Sequence, residues 1–143
     1  MSPQDRRAMA LVATVRYGRL ALSRHAMPYI AVARHAVVDD HLLIRVHRGW
    51  GVHGACDGSV VGYQADNLHT AADSVWAVHV TGTARVVPPH RAPAPDGPDD
   101  VFGPLPSFVE EPAFDPVHLR IDPAFVDVQF VRDVAQWPEA HAA

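Results

Sequence analysis

PYIAVARHAVVDDHLLIRVH, Pro28 to His47, holds two runs of small and β-branched residues on either side of Asp39-Asp40. Aspartates tolerate left-handed backbone and start tight reversals, so this stretch predicts a β-hairpin. With the turn centred between the two aspartates, facing residues have numbers that sum to 79, which puts Arg34 opposite Arg45. Like charges facing across a ladder repel by up to ~1 kcal/mol. An anion between them, either a carboxylate of the chain or a bound ligand, would relieve that cost.

The hairpin runs on into RGWGVHGA, Arg48 to Ala55, where Gly49, Gly51 and Gly54 leave the backbone free to approach a ligand. The Gly49–Gly58 segment has room for one helical turn, whose free N–H groups would favour an anion. On this reading Arg45, Arg34, Arg48, Trp50 and Gly51 are candidate cofactor contacts. A surface ion pair with Asp39, Asp40 or Asp66, or a plain connecting turn, is the competing reading.

Outward from the hairpin, Ser2-Pro3-Gln4-Asp5 supplies an N-cap, a proline at the first helical position and an acid in the first turn. Ala8, Leu11, Val12 and Val15 continue at helical spacing, predicting a helix that ends near Tyr17-Gly18. Arg19–Ser23 alternates as a short strand, and His25–Met27 forms a turn before the hairpin. Ser59–Asp66 and Val75–Val87 are further strands, the second long enough to need a bend at Gly82. Pro88–Pro106 is rich in proline and acid and is a surface excursion. His118–Ile121 and Phe125–Val131 read as two last strands around Asp122-Pro123, followed by a polar tail from Asp133. The expected architecture is one mainly β domain over residues 1–143: a six- to seven-stranded antiparallel barrel with one N-terminal helix.

Composition excludes several functions. The 143 residues carry a net charge of −4 and no basic stripe, which argues against a nucleic-acid partner. No apolar run is long enough for a membrane span, and one cysteine, Cys56, forms no internal disulfide, so a cytoplasmic location is expected. All 12 basic residues are arginine, which rules out Schiff-base lysines and the P-loop lysine. No serine sits in a nucleophile elbow, and no His/Cys spacing matches a structural zinc site, so no metal is expected. The 10 histidines share the chain's Ala/Arg/Val/Pro bias, and most are expected at the surface. His47 and His53 flank the glycine turn and are the catalytic candidates, as proton donors or haem ligands, with His79 close enough to join them if the strands pack as drawn.

Five stretches in order resemble the pyridoxamine 5'-phosphate oxidase-like, FMN-binding split-barrel family. They are Tyr17-Gly18-Arg19-Leu20-Ala21, Met27–Val32, Asp39–Val46, Val60–Asp66 (VVGYQAD) and Trp76–Ala84 (WAVHVTGTA), together spanning residues 17–87. The resemblance implies a split-barrel homodimer with FMN at the subunit interface, its phosphate held near the third strand, and redox chemistry on a small organic molecule. The family's phosphate-binding arginine falls on Arg45, while Gln64 and Trp76 fall near its flavin-side or interface positions; Trp76 has core packing as its simpler reading. Three positions depart from the pattern: Val46 replaces a threonine, Gly51 a lysine and Ala31 a proline. Arg48 is the available substitute for the lysine, because a guanidinium offers several donors to phosphate. The family also includes deazaflavin and haem binders, so a non-catalytic flavin or haem module and a flavin-free barrel are the alternatives. No substrate-binding residues of a pyridoxamine phosphate oxidase are recognisable between Asp127 and Trp137, which argues against that substrate.

Overall fold

The computed structural model describes residues 1–94, 97, 100–107 and 113–132. The tail from Asp133 and residues 95, 96, 98 and 99 of the proline-rich excursion lie outside the described residues.

Six antiparallel strands close into a barrel: β1 (Tyr17–Arg24), β2 (Met27–Val38), β3 (His41–His47), β4 (Val60–Asp66), β5 (Val75–Val86) and β6 (Pro116–Val131). Their order around the barrel is β1-β2-β3-β6-β5-β4, with β4 pairing back onto β1. Period-two alternation explains the closure. Leu20, Leu22, Ala31, Ala33, Leu42, Ile44, Val46, Val61, Tyr63, Ala65, Val78, Val80, Leu119 and Ile121 all point inward and are buried in one cluster.

The β2–β3 hairpin has the predicted register, with Arg34 facing Arg45. Both tight hairpins use two-residue turns whose central residues have positive φ: His25 (53°) and Ala26 (63°), then Asp39 (48°) and Asp40 (63°). Positive φ at both positions matches the twist of the flanking strands. The second turn uses aspartates, which tolerate this conformation, whereas the first forces an alanine into it.

Helix α1 (Pro3–Ala13) begins as read, with the Ser2 hydroxyl accepting from Asp5 N at 3.0 Å. It stops at Ala13, short of Tyr17-Gly18, because Tyr17 is already paired with Arg34 in the β1–β2 ladder. Ala8, Met9 and Val12 bury its inner face against β2, β5 and β6. His35, 1% exposed, ties helix to barrel: Nε2 lies 2.8 Å from Val12 O and Nδ1 2.6 Å from Tyr63 Oη. A carbonyl only accepts, so the proton belongs on Nε2 and the phenol donates to Nδ1. Burial lowers the His35 pKa and keeps the ring neutral in this role.

Two expectations change in detail. The glycine segment holds a 3₁₀ turn (Arg48–Trp50) and a short helix, α2 (Val52–Cys56). The two closing strands are one, β6, which passes through Asp122-Pro123 unbroken. The register against β5 shifts between Thr81 and Gly82, so Gly82 faces Pro123 and Ala124 is the extra residue. A bulge relieves proline of its missing ladder donor, and glycine is needed opposite, because a Cβ on Gly82 would lie 2.0 Å from Asp122 O.

Ala26 sits exposed in a left-handed conformation, so Ala26→Gly is expected to stabilise the fold by ~1 kcal/mol. Urea unfolding checks it, and a loss of stability would show that the turn carries no strain.

Candidate functional site

Arg34 and Arg45 point outward from the barrel, and the returning end of the proline-rich excursion lies over them. Arg45 is 4% exposed. Its Nη1 donates to Gly103 O at 3.3 Å and its Nη2 to Pro104 O at 3.4 Å, while its Nε is buried with no hydrogen-bond partner among the described residues. Arg34 donates from Nη1 to His35 O and, at 3.3 Å, to Arg16 O, and from Nη2 to Val101 O at 3.4 Å. Phe102 lies under both guanidiniums, 5.7 Å from that of Arg34 and 5.2 Å from that of Arg45, and Phe114 is 5.8 Å from the latter. Among the described residues neither arginine has a carboxylate at ion-pair distance. Burial lowers both pKa values, and Arg34 lowers that of Arg45 further, although Tyr17 and Asp100 act in the opposite direction. Both stay cationic at neutral pH, since guanidinium pKa values begin so high.

Beside the pair is a cavity of about 130 Å³ lined by Tyr17, Val32, Arg34, Arg45, Trp50, Pro106 and Phe114. Tyr17 and Val32 also line a larger cleft of about 510 Å³, which continues past Arg16, Arg19, Asp66 and His69. Asp66 is occupied there: it is ion-paired with Arg19 and accepts from Gln64 Nε2 at 2.9 Å, and the hydrogen bonds hold its pKa down although burial pushes it up.

The structure therefore brings Arg34, Arg45 and Trp50 together. Arg48 lies next to them in sequence but faces Asp115, with Nε 3.4 Å from Oδ2 and both side chains largely exposed. Gly51 has φ 71° and joins the 3₁₀ turn to α2, which is why glycine stands there. Gln64 belongs to the Arg19–Asp66 group on the neighbouring face. Trp76 packs at the edge of the core, faces Phe130 across β5–β6 and lines neither cavity.

The histidines separate. His47 is buried; its Nδ1 accepts from Asp115 N at 3.0 Å, and its ring packs against Trp50 (5.8 Å) and Phe114 (5.5 Å). His53 is on α2, its Nδ1 buried with no partner among the described residues. His79 is far along the barrel, facing Asp127 and 3.3 Å from Gln129 Oε1, whereas His47 faces Pro116. The expected cluster of these three does not form: His47 ends β3, His53 is on α2, and His79 on β5 pairs with β6 eleven residues along from the partner of His47. Among the described residues no group of three or more His, Cys, Asp or Glu could hold a metal. Burial pushes the Cys56 thiol up to about 11, consistent with an inert core residue.

Phe102, Phe114 and His118 belong to the site and escaped sequence reasoning. Phe102 and Phe114 are isolated aromatics in proline-rich surroundings, which is the one available signal that such a segment is anchored. His118 packs against Phe102 at 5.3 Å, and burial, then the charge of Arg45, pull its pKa down to about 4.

Residues 4–128 match the sequence model of the family described as pyridoxamine 5'-phosphate oxidase. The chain belongs to this family. Among solved structures, the FAD binding protein from Mycobacterium smegmatis superposes with a TM-score of 0.63 at 19% identity, covering 92% of this chain and 96% of that one. The FAD and heme binding protein from the same organism gives 0.60 at 13% identity over 90% and 70%. An uncharacterized protein of Mycobacterium tuberculosis is 38% identical over 85 residues, 56% of this chain and 56% of that relative's length. No helix among the described residues is long and apolar enough to cross a membrane.

With its pKa near 4, His118 stays neutral when folded while the unfolded chain takes up a proton near 6.5. Stability is then fully present above pH 6.5 and is lost as pH falls toward 4; His35, also lowered, adds in the same direction. Denaturant midpoints across that range check the slope, and NMR titration of the His118 ring near its ordinary value would contradict it.

Proposed function

We propose that this family member binds FMN on the outer face of β1 and β2, with the phosphate against Arg34 and Arg45. The observation that carries this reading is the buried Arg45 guanidinium, its Nε unpartnered among the described residues, beside a second arginine. Two cations with neutral carbonyl partners form a site whose missing component is an anion. The 130 Å³ cavity suits a polar tail but is well below the roughly 300 Å³ at which pockets for whole drug-sized ligands begin. The ring then belongs in the adjoining cleft, against Tyr17 and Val32, which are 54% and 60% exposed. Solved neighbours described as FAD binding proteins support a flavin on this fold.

The exposed apolar side chains suggest how the open side is covered. Ile30 and Val32, both on β2, lie outward and largely exposed. We assign this face to a second copy of the chain, making a homodimer with the flavin at its interface. Arg48, which pairs with Asp115 and lies outside the cavity lining, would add a further phosphate contact by giving up that weak exposed ion pair.

A bound flavin supplies hydride chemistry, here directed at a small organic molecule, and the protein binds, orients and excludes water. His47 is committed through Nδ1 to Asp115 N, so its proton sits on Nε2 and its role is to fix the Trp50–Phe114 wall. The chain's single cysteine fits a cytoplasmic setting.

Purified protein should take up FMN with flavin absorbance, and Arg45→Ala should weaken that binding roughly 10- to 100-fold with little change in the unfolding midpoint. Protein that is colourless and fails to bind FMN, FAD or a deazaflavin would overturn the flavin reading, and a haem Soret band would replace it with the haem one.

A further inference from the structure

The segment Asp100–Pro106 lies over the arginine pair in a particular way. Its polar contacts to the pair are backbone carbonyls: Val101 O to Arg34, Gly103 O and Pro104 O to Arg45, at 3.3 to 3.4 Å. These are long for N–H···O bonds, and their acceptors are neutral. Its apolar anchor is one ring, Phe102, 5% exposed and packed on both guanidiniums and His118. Its negative charge is Asp100, whose field reaches Arg34, Arg45 and His118 while its Oδ1 accepts from Phe102 N at 2.9 Å. Among the described residues, no backbone hydrogen bond joins 100–106 to the backbone of a strand. Gly103, at φ 77°, supplies the turn that returns the chain to Pro104.

The segment thus offers the arginines an acid's field, an aromatic face and acceptor oxygens, which are the features a phosphorylated aromatic ligand would bring. It leaves the Arg45 Nε without an acceptor among the described residues. A phosphate monoester carries more charge than Asp100 and several acceptor oxygens at shorter, charge-assisted distances.

We propose that Asp100–Pro104 is a built-in competitor for the Arg34–Arg45 site, a strap that leaves the two guanidiniums when a phosphate monoester takes them, while Pro106 stays in the wall of the adjoining cavity. The proposal rests on the phosphate-binding reading above and adds its regulation. Strap and ligand compete for the same donors, so the measured affinity is the intrinsic one reduced by the fraction of molecules whose strap is already off. Phe102 lies outside the barrel's core cluster, so loosening the strap leaves the fold in place.

The test uses FMN as probe and the full-length apo protein. Phe102→Ala removes the anchor, and Gly103→Ala, which puts a Cβ on a left-handed residue, loosens the same strap by an independent route. Both variants should bind FMN roughly five- to tenfold more tightly than the parent. In the parent, FMN should accelerate chymotrypsin cleavage after Phe102, the reverse of the protection ligands usually give. Weaker or unchanged FMN binding in both variants, or protection of the Phe102–Gly103 bond by FMN, would overturn the proposal and make the strap a permanent wall. Arg45→Ala keeps the two failures apart. If it abolishes binding while the strap variants bind no better, the competitor fails and the phosphate site stands. If it changes nothing, or if no form binds FMN, the phosphate site fails and the competitor with it.

Discussion

Two aspartates in a left-handed turn set the pairing of β2 with β3, and that pairing forces Arg34 and Arg45 side by side on the outside of the barrel. Inward neighbours lock the arrangement. A slip of one residue would turn Ile44 and Val46 out to solvent and Arg45 into the core, so the register cannot relax to separate the charges. The molecule accommodates the repulsion by covering it: carbonyls from Arg16, His35, Val101, Gly103 and Pro104 accept from the two guanidiniums, and the Phe102 ring lies against both. None of these partners carries a full charge, which is why the pair remains suited to an anion.

Backbone periodicity made most of the barrel legible. The facing arginines followed from counting residues about the turn, and the Gly82 bend from the length of the alternation around it. What depended on long-range pairing was harder to read. Pro123 looked like a strand break because its partner across the sheet, a glycine at a register shift, is invisible in local sequence. The end of α1 was read too late because the pull of Arg34 on Tyr17 acts across the sheet.

The site was legible only in part. Arg34, Arg45 and Trp50 do share one cavity, whereas Arg48 turns to Asp115 and the three histidines sit on three different elements, β3, α2 and β5. The covering segment had no readable pattern: proline-rich sequence shows no period, and the fact that Phe102 anchors it depends on a contact with β2 and β3. Gly51 has a local reason to be glycine, since φ 71° there favours it.

If the pair is a phosphate site, recognition must depend on the phosphate itself. Calorimetric titration with FMN and with riboflavin, which shares the ring but lacks the phosphate, tests this most directly. FMN should bind at least about tenfold more tightly, with the difference shrinking as salt is raised. Equal affinity for the two, unchanged by salt, would show that the arginines hold only the strap and that the phosphate is not read.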